Sequence, residues 1–161
     1  LGKQLLPVGM LVVLDSVFNR IIRNRRLGRS TWVYIDEIYL LFQHEYSANF
    51  LFTLWKRVRK YGACCTGLTQ NVDDLLQSHT ARTMLANSEF LVMLNQASTD
   101  RAELARLLNI SDNQLSYITN VDFGRGLIKC GSAIVPFMDH FPKNNLYRLM
   151  STKPSEADAA V

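Results

Sequence analysis

Two adjacent carboxylates, Asp36 and Glu37, close an apolar run that climbs through Trp32, Val33, Tyr34 and Ile35. A strand that ends on paired acids aims both side chains from a rigid base. Asp suits a hard cation such as Mg²⁺, usually through water, because such ions take oxygen ligands. The Glu that follows can polarise a water for attack on a phosphate. This is the form of a Walker B element, although the same pattern also serves ordinary capping of the next segment. A second run, Ala63 to Gln70, is small and apolar and ends on Thr69 and Gln70. A side-chain amide there can donate to a phosphate oxygen and accept from water, as a γ-phosphate sensor must. Between the two runs lies an arginine-rich helical pattern that could supply an arginine finger, a device worth roughly 10³ to 10⁵ in phosphoryl-transfer rate. Order, spacing and strand-end placement are together more specific than any one of these signals.

The elements that would position these residues are legible in outline. Met10, Leu14, Val17, Phe18, Ile21 and Ile22 recur at helical spacing, and Gly28 offers a left-handed stop. The strand Thr31 to Asp36 is continuously apolar, as expected when both faces are covered. A second helix is expected over "SANFLFTLWKRVRKYG", with Ser47 as N-cap, Gly62 as stop and Leu51, Leu54, Trp55, Val58 and Tyr61 as its apolar stripe. A helical stretch around Asp73 to Asn87 precedes a third strand, Glu89 to Gln96, which ends in the amides Asn95 and Gln96. Capping boxes at Asp100/Glu103 and Ser111/Gln114 announce two more helices. "GLIKCGSAIVPF" reads as a hairpin turning on Gly131-Ser132. Strands alternating with helices give an α/β class, a mostly parallel sheet with flanking helices and a C-terminal β-hairpin. In such sheets function gathers at the carboxyl ends of the strands. Those ends carry Asp36 and Glu37, Thr69 and Gln70, and Asn95 and Gln96.

Composition bounds the rest. A chain of 161 residues, 48% apolar and 20% charged, is ordinary for one globular domain. No apolar run approaches the roughly 18 residues that span a bilayer. The cysteines Cys64, Cys65 and Cys130 form neither a disulfide framework nor a CxxC signature, and the first two read as packing thiols in a reducing compartment. His44, His79 and His140 lack metal-ligand spacing. Half of the 18 Lys and Arg fall in two windows without an acid, Arg20–Arg29 and Lys56–Lys60. Such patches are either solvated helix faces or sites for an anionic partner.

The segments "WVYIDEIYLLF", "LWKRVRKYG", "TGLTQNVDDLL", "NSEFLVMLNQA" and "LIKCGSAIVPF" resemble the C-terminal ATPase domain of the VirB-four family. These are large conjugation and type IV secretion ATPases, here of the kind found in Gram-positive conjugative elements. The resemblance runs from about Leu1 to Lys153, with the motifs in the family's order. It implies a RecA-like P-loop NTPase core using ATP and Mg²⁺, and a hexameric ring that meets other channel components. It also implies a cytoplasmic site at the inner face of the cell membrane, with DNA among the candidate partners. Residue by residue, Asp36 and Glu37 match the Walker B pair, Asp36 holding Mg²⁺ indirectly and Glu37 acting on water. Arg59 matches the arginine of the family's Arg-Lys motif, and Gln70 the glutamine of its Thr-Gln motif, eleven positions on. Thr69 and Arg57 stand beside them as nucleotide contacts, and spacing alone does not separate Arg57 from Arg59 as the finger.

One departure matters. No G-x-x-x-x-G-K-[ST] occurs anywhere in the chain, and Gly2-Lys3 lacks both the upstream glycine and the hydroxyl residue. The phosphate cradle is therefore expected to precede Leu1. On that reading residues 1–150 are the later half of a motor domain, 151–161 are a polar tail, and the piece has no ATPase activity of its own. Two alternatives stay open: a DNA-pumping coupling protein of the same superfamily, whose motor core is shared, and a non-catalytic basic nucleic-acid-binding module whose acids are structural.

Overall fold

The computed structural model describes residues 6–151; the polar tail lies outside them from Thr152 onward. The described residues form two compact units, one comprising 6–88 with 102–108, the other 89–101 with 109–151.

In the first unit, helix α1 (Leu6–Arg26) turns its expected stripe inward: Ile21 is fully buried, Leu14 is buried, and Val17 and Phe18 pack against the core. The helix stops where Gly28 takes a left-handed conformation (φ 68°), which costs a residue without Cβ little. Strand β1 (Thr31–Ile35) follows, then a 3₁₀ turn (Ile38–Phe42) and helix α2 (Glu45–Arg57). A second 3₁₀ turn (Val58–Tyr61) ends at left-handed Gly62 and feeds strand β2 (Ala63–Gly67). β1 and β2 pair in parallel, from Thr31↔Ala63 to Ile35↔Gly67. Helices α3 (Val72–Gln77) and α4 (His79–Ala86) complete the layer. The core joins Ile21, Ile38, Leu51, Leu54, Val58, Ala63, Leu75, Ala81 and Met84.

In the second unit, strand β3 (Phe90–Met93) pairs antiparallel with β4 (Arg125–Cys130), which forms a hairpin with β5 (Ala133–Met138). Helix α5 (Ser98–Leu108) begins in this unit and ends in the first. Short helices α6 (Asp112–Leu115) and α7 (Asn145–Met150) follow. The hairpin turns on Gly131-Ser132 as expected, with Cys130 facing Ala133 across it. The capping box at Ser111 is complete: its hydroxyl accepts from the Gln114 amide and the Gln114 side chain accepts from the Ser111 amide.

Four expectations need correction. Parallel pairing is confined to β1 and β2, because β3 finds its partner in the hairpin. β1 is not covered on both faces: Val33 and Ile35 pack inward while Trp32 and Tyr34 are 64% and 67% exposed. Ser47 is not an N-cap but a fully buried residue of the first turn of α2, its hydroxyl donating to the carbonyl of Leu41 at 2.6 Å. The stretch from Asp73 to Asn87 is two helices, since Ser78 is extended and its hydroxyl caps α4 by accepting from Ala81.

Candidate functional site

The parallel register of β1 and β2 makes both strands end side by side, so the segments Asp36–Glu37 and Thr69–Gln70 leave the sheet at one end. Two backbone bonds join those segments: the Leu68 amide donates to the Ile35 carbonyl at 2.8 Å, and the Ile38 amide donates to the Leu68 carbonyl at 2.9 Å. Ile38 is a core residue, 6% exposed. The chain must therefore reverse between Ile35 and Ile38, and it does so at Glu37, which adopts the left-handed conformation (φ 48°, ψ 48°). For a residue with a Cβ this costs roughly 1 to 2 kcal/mol. Observed outliers of this kind concentrate at functional sites.

The two acids occupy different environments. Asp36 is exposed, and its Oδ1 accepts from the Glu37 amide at 3.0 Å. The other carboxylate is half-buried, and Glu37 Oε2 is buried without a hydrogen-bond partner among the described residues. A buried carboxylate oxygen without a partner is costly, which marks Glu37 out from Asp36 beside it. Among the described residues no group of three or more His, Cys, Asp or Glu could hold a metal ion. Asp36 alone fits Mg²⁺ in the usual way, in which one or two carboxylates share the ion with phosphates and water.

Gln70 projects from a loop ordered on both sides. The Thr69 hydroxyl accepts from the Asn71 amide at 3.1 Å, and the Asn71 side chain caps α3 by accepting from Asp74 at 3.1 Å. Thr69 is thus engaged within its own loop, while Gln70 is exposed and makes no side-chain bond among the described residues. Asn95 and Gln96 serve the second unit: Asn95 Oδ1 accepts from the Val121 amide, and Gln96 donates to the Leu94 carbonyl.

The arginines lie at the other end of the sheet. α2 ends at Arg57, and the 3₁₀ turn that carries Arg59 leads directly into the amino end of β2, where the Gly62 carbonyl accepts from Thr31. Five strand residues at about 3.3 Å each put roughly 16 Å between this end and Glu37. Arg57 and Arg59 are both exposed and enter no ion pair among the described residues. The structure therefore brings Asp36, Glu37, Thr69 and Gln70 together and sets Arg57 and Arg59 apart from them. The left-handed turn at Glu37 and the clip through Leu68 were not visible in the residue pattern. The one hint was Gly67, whose missing side chain makes room for Ile38.

A parallel strand pair with acids and an amide at its carboxyl ends, backed by helices, is the architecture of an α/β P-loop nucleotide-binding domain. The chain belongs to the TraG P-loop domain family, which it matches over residues 2–125. Among solved structures it is similar to VirB4 of Thermoanaerobacter pseudethanolicus, with 25% identity and a TM-score of 0.72 over 90% of this chain and 37% of that chain. The chain thus spans little more than a third of that protein's length. No curated protein matches it. No helix among the described residues is long and apolar enough to cross a membrane.

Proposed function

We propose that this chain is the later half of an ATP-hydrolysing motor domain that powers type IV secretion or conjugative DNA transfer. The observation that carries the reading is Glu37: left-handed, at the end of an apolar strand, with a buried carboxylate oxygen that has no hydrogen-bond partner among the described residues. In this reading Glu37 takes a proton from the attacking water. Asp36, fixed by its bond to the Glu37 amide, would hold Mg²⁺ through water, and the ion's charge would offset that of the phosphates. Gln70, on a loop clipped to the same strand end, reports the γ-phosphate. Arg59 is too distant to serve its own Glu37, which supports a role in the site of a neighbouring copy in a ring, Arg57 being the alternative. Other secretion-channel components, DNA and the inner face of the cell membrane are the surroundings this function implies.

In the full-length protein, Glu37→Gln should lower ATP hydrolysis by roughly 10² to 10⁴, while fluorescent-nucleotide binding stays within a few fold. Near-normal turnover would remove Glu37 from the chemistry. Residues 1–161 alone, without the glycine-rich cradle motif, should release no phosphate from ATP.

A further inference from the structure

We infer that Tyr61 and Arg25 are positioning residues for Arg59, gripping the 3₁₀ turn that carries it; this rests on the assignment of Arg59 to a neighbour's site. In a 3₁₀ turn residues i and i+3 eclipse, so Val58 and Tyr61 share one side of the turn while Arg59 and Lys60 face away. Val58 is buried in the core and Arg59 and Lys60 are exposed, as that geometry requires. Hydrogen bonds in 3₁₀ turns are poorly aligned, so the orientation of Arg59 depends on how firmly those two inward side chains are held.

Tyr61 is held from α1. The Phe18 and Tyr61 rings meet in a T-shaped contact, centroids 5.4 Å apart and planes at 83°, and the guanidinium of Arg25 stands 5.7 Å from the Tyr61 ring centroid. Phe18 and Arg25 are seven residues apart, two turns along one helix face, so the ring is gripped at two points of one rigid element. A cation suits the second point twice over, because the ring face attracts it and so does the carboxyl end of α1. Arg25 forms no ion pair among the described residues, which leaves the ring as its partner. Tyr61, directly after the second arginine-rich window, therefore joins it to Arg25 of the first, more than thirty residues earlier in sequence. At least one cation of the first window has a role in supporting the second.

The test is steady-state ATP hydrolysis by the full-length protein. Arg25→Gln should lower kcat roughly three- to tenfold and leave the KM for ATP within about twofold, since the grip acts on the finger and not on nucleotide binding. Arg25→Lys and Tyr61→Phe should stay near wild type, keeping the cation and the ring. Tyr61→Leu should fall at least as far as Arg25→Gln. Adding Arg25→Gln to Arg59→Ala should cost nothing further on the residual rate, because no finger remains to position. If Arg59→Ala is inactive while Arg25→Gln and Tyr61→Leu turn over normally, positioning is wrong and the finger stands. Wild-type turnover in Arg59→Ala overturns the finger and the grip with it. Additive losses in the double variant place Arg25 in some other task and also overturn the proposal. Should Tyr61→Leu fail to assemble, the Arg25 and Arg59 variants decide alone.

Discussion

The Leu68 amide donates to the Ile35 carbonyl at 2.8 Å while the Leu68 carbonyl receives the Ile38 amide at 2.9 Å, so one residue of the second loop clasps both sides of Asp36–Glu37. The clasp couples two segments that sequence can only place at the ends of separate strands. On the proposed function, a movement of Gln70 toward a phosphate would be felt at Leu68 and, through it, at the turn that carries Glu37.

Gly67 is the packing condition for that clasp. A Cβ at this position would crowd three side-chain atoms of Ile38, the residue directly after Glu37. Gly67→Ala should destabilise residues 1–161 by about 1 to 3 kcal/mol in urea unfolding, the usual range for overpacking. Adding Ile38→Val should recover part of the loss. An unchanged midpoint in the single variant would show that Ile38 moves freely and that the clasp is softer than its geometry implies.

Glu37 pays in stability for its position. Asn tolerates the left-handed region better than Glu and places no carboxylate oxygen in the buried spot. Glu37→Asn should therefore raise the stability of the isolated chain by up to about 1 kcal/mol, while the full-length variant loses hydrolysis. Thermal unfolding of one and phosphate release by the other measure the two effects. A destabilised variant would mean that the buried oxygen has a stabilising contact in the protein.

Turn and cap chemistry was largely legible in the sequence, whereas non-local pairing was legible for β1 and β2 only. The Ser111/Gln114 capping box and the Gly131-Ser132 turn each depend on residues within a few positions of one another, and both form as read. Asp36 and Gln70 share a strand end because β1 and β2 are neighbours, as the order of elements suggested. The strand at Phe90–Met93 could not be assigned from its own residues. An apolar run fits either sheet, and only its register with β4 places it. Ser47 has the residue type of a cap, yet its hydroxyl is turned inward to the Leu41 carbonyl, a choice made by burial. The thiols also divide by face: Cys65 packs against the core, whereas Cys64 and Cys130 are exposed.

That division gives a pH prediction. Burial, with a smaller contribution from Cys64, pushes the Cys65 thiol up from 9.0 to about 11. At about pH 8 roughly one Cys65 in a thousand is thiolate, the reactive form, so iodoacetamide should label exposed Cys64 and spare Cys65 in fragment mass spectra. The linkage has a definite sign. A thiol harder to ionise when folded contributes stability that is complete below about pH 9 and is lost as pH rises toward about 11. Cys65→Val should flatten that part of the stability profile. Equal labelling of both thiols at about pH 8 would contradict the burial of Cys65.

Arg59 and Arg57 are separated by the geometry of the helix end. Arg57 is the last residue of α2, whereas Arg59 belongs to the 3₁₀ turn anchored through Val58 and Tyr61. A finger must hold its guanidinium against the transferring phosphate, and the turn of Arg59 is closed by the Gly62 amide, which donates to the Arg59 carbonyl at 3.1 Å, and flanked by buried Val58. In the full-length protein, Arg59→Ala should keep its fold and bind nucleotide, yet lose roughly 10³-fold or more in turnover. Arg57→Ala should lose much less. On the proposed function, a Glu37→Gln subunit should fail in its own site and an Arg59→Ala subunit in its neighbour's. Mixing the two inactive proteins should therefore restore activity wherever an intact Arg59 faces an intact Glu37. Subunit exchange followed by a phosphate-release assay reads the outcome. No recovery on mixing would place both residues in one subunit's site, against the roughly 16 Å of strand that lies between them.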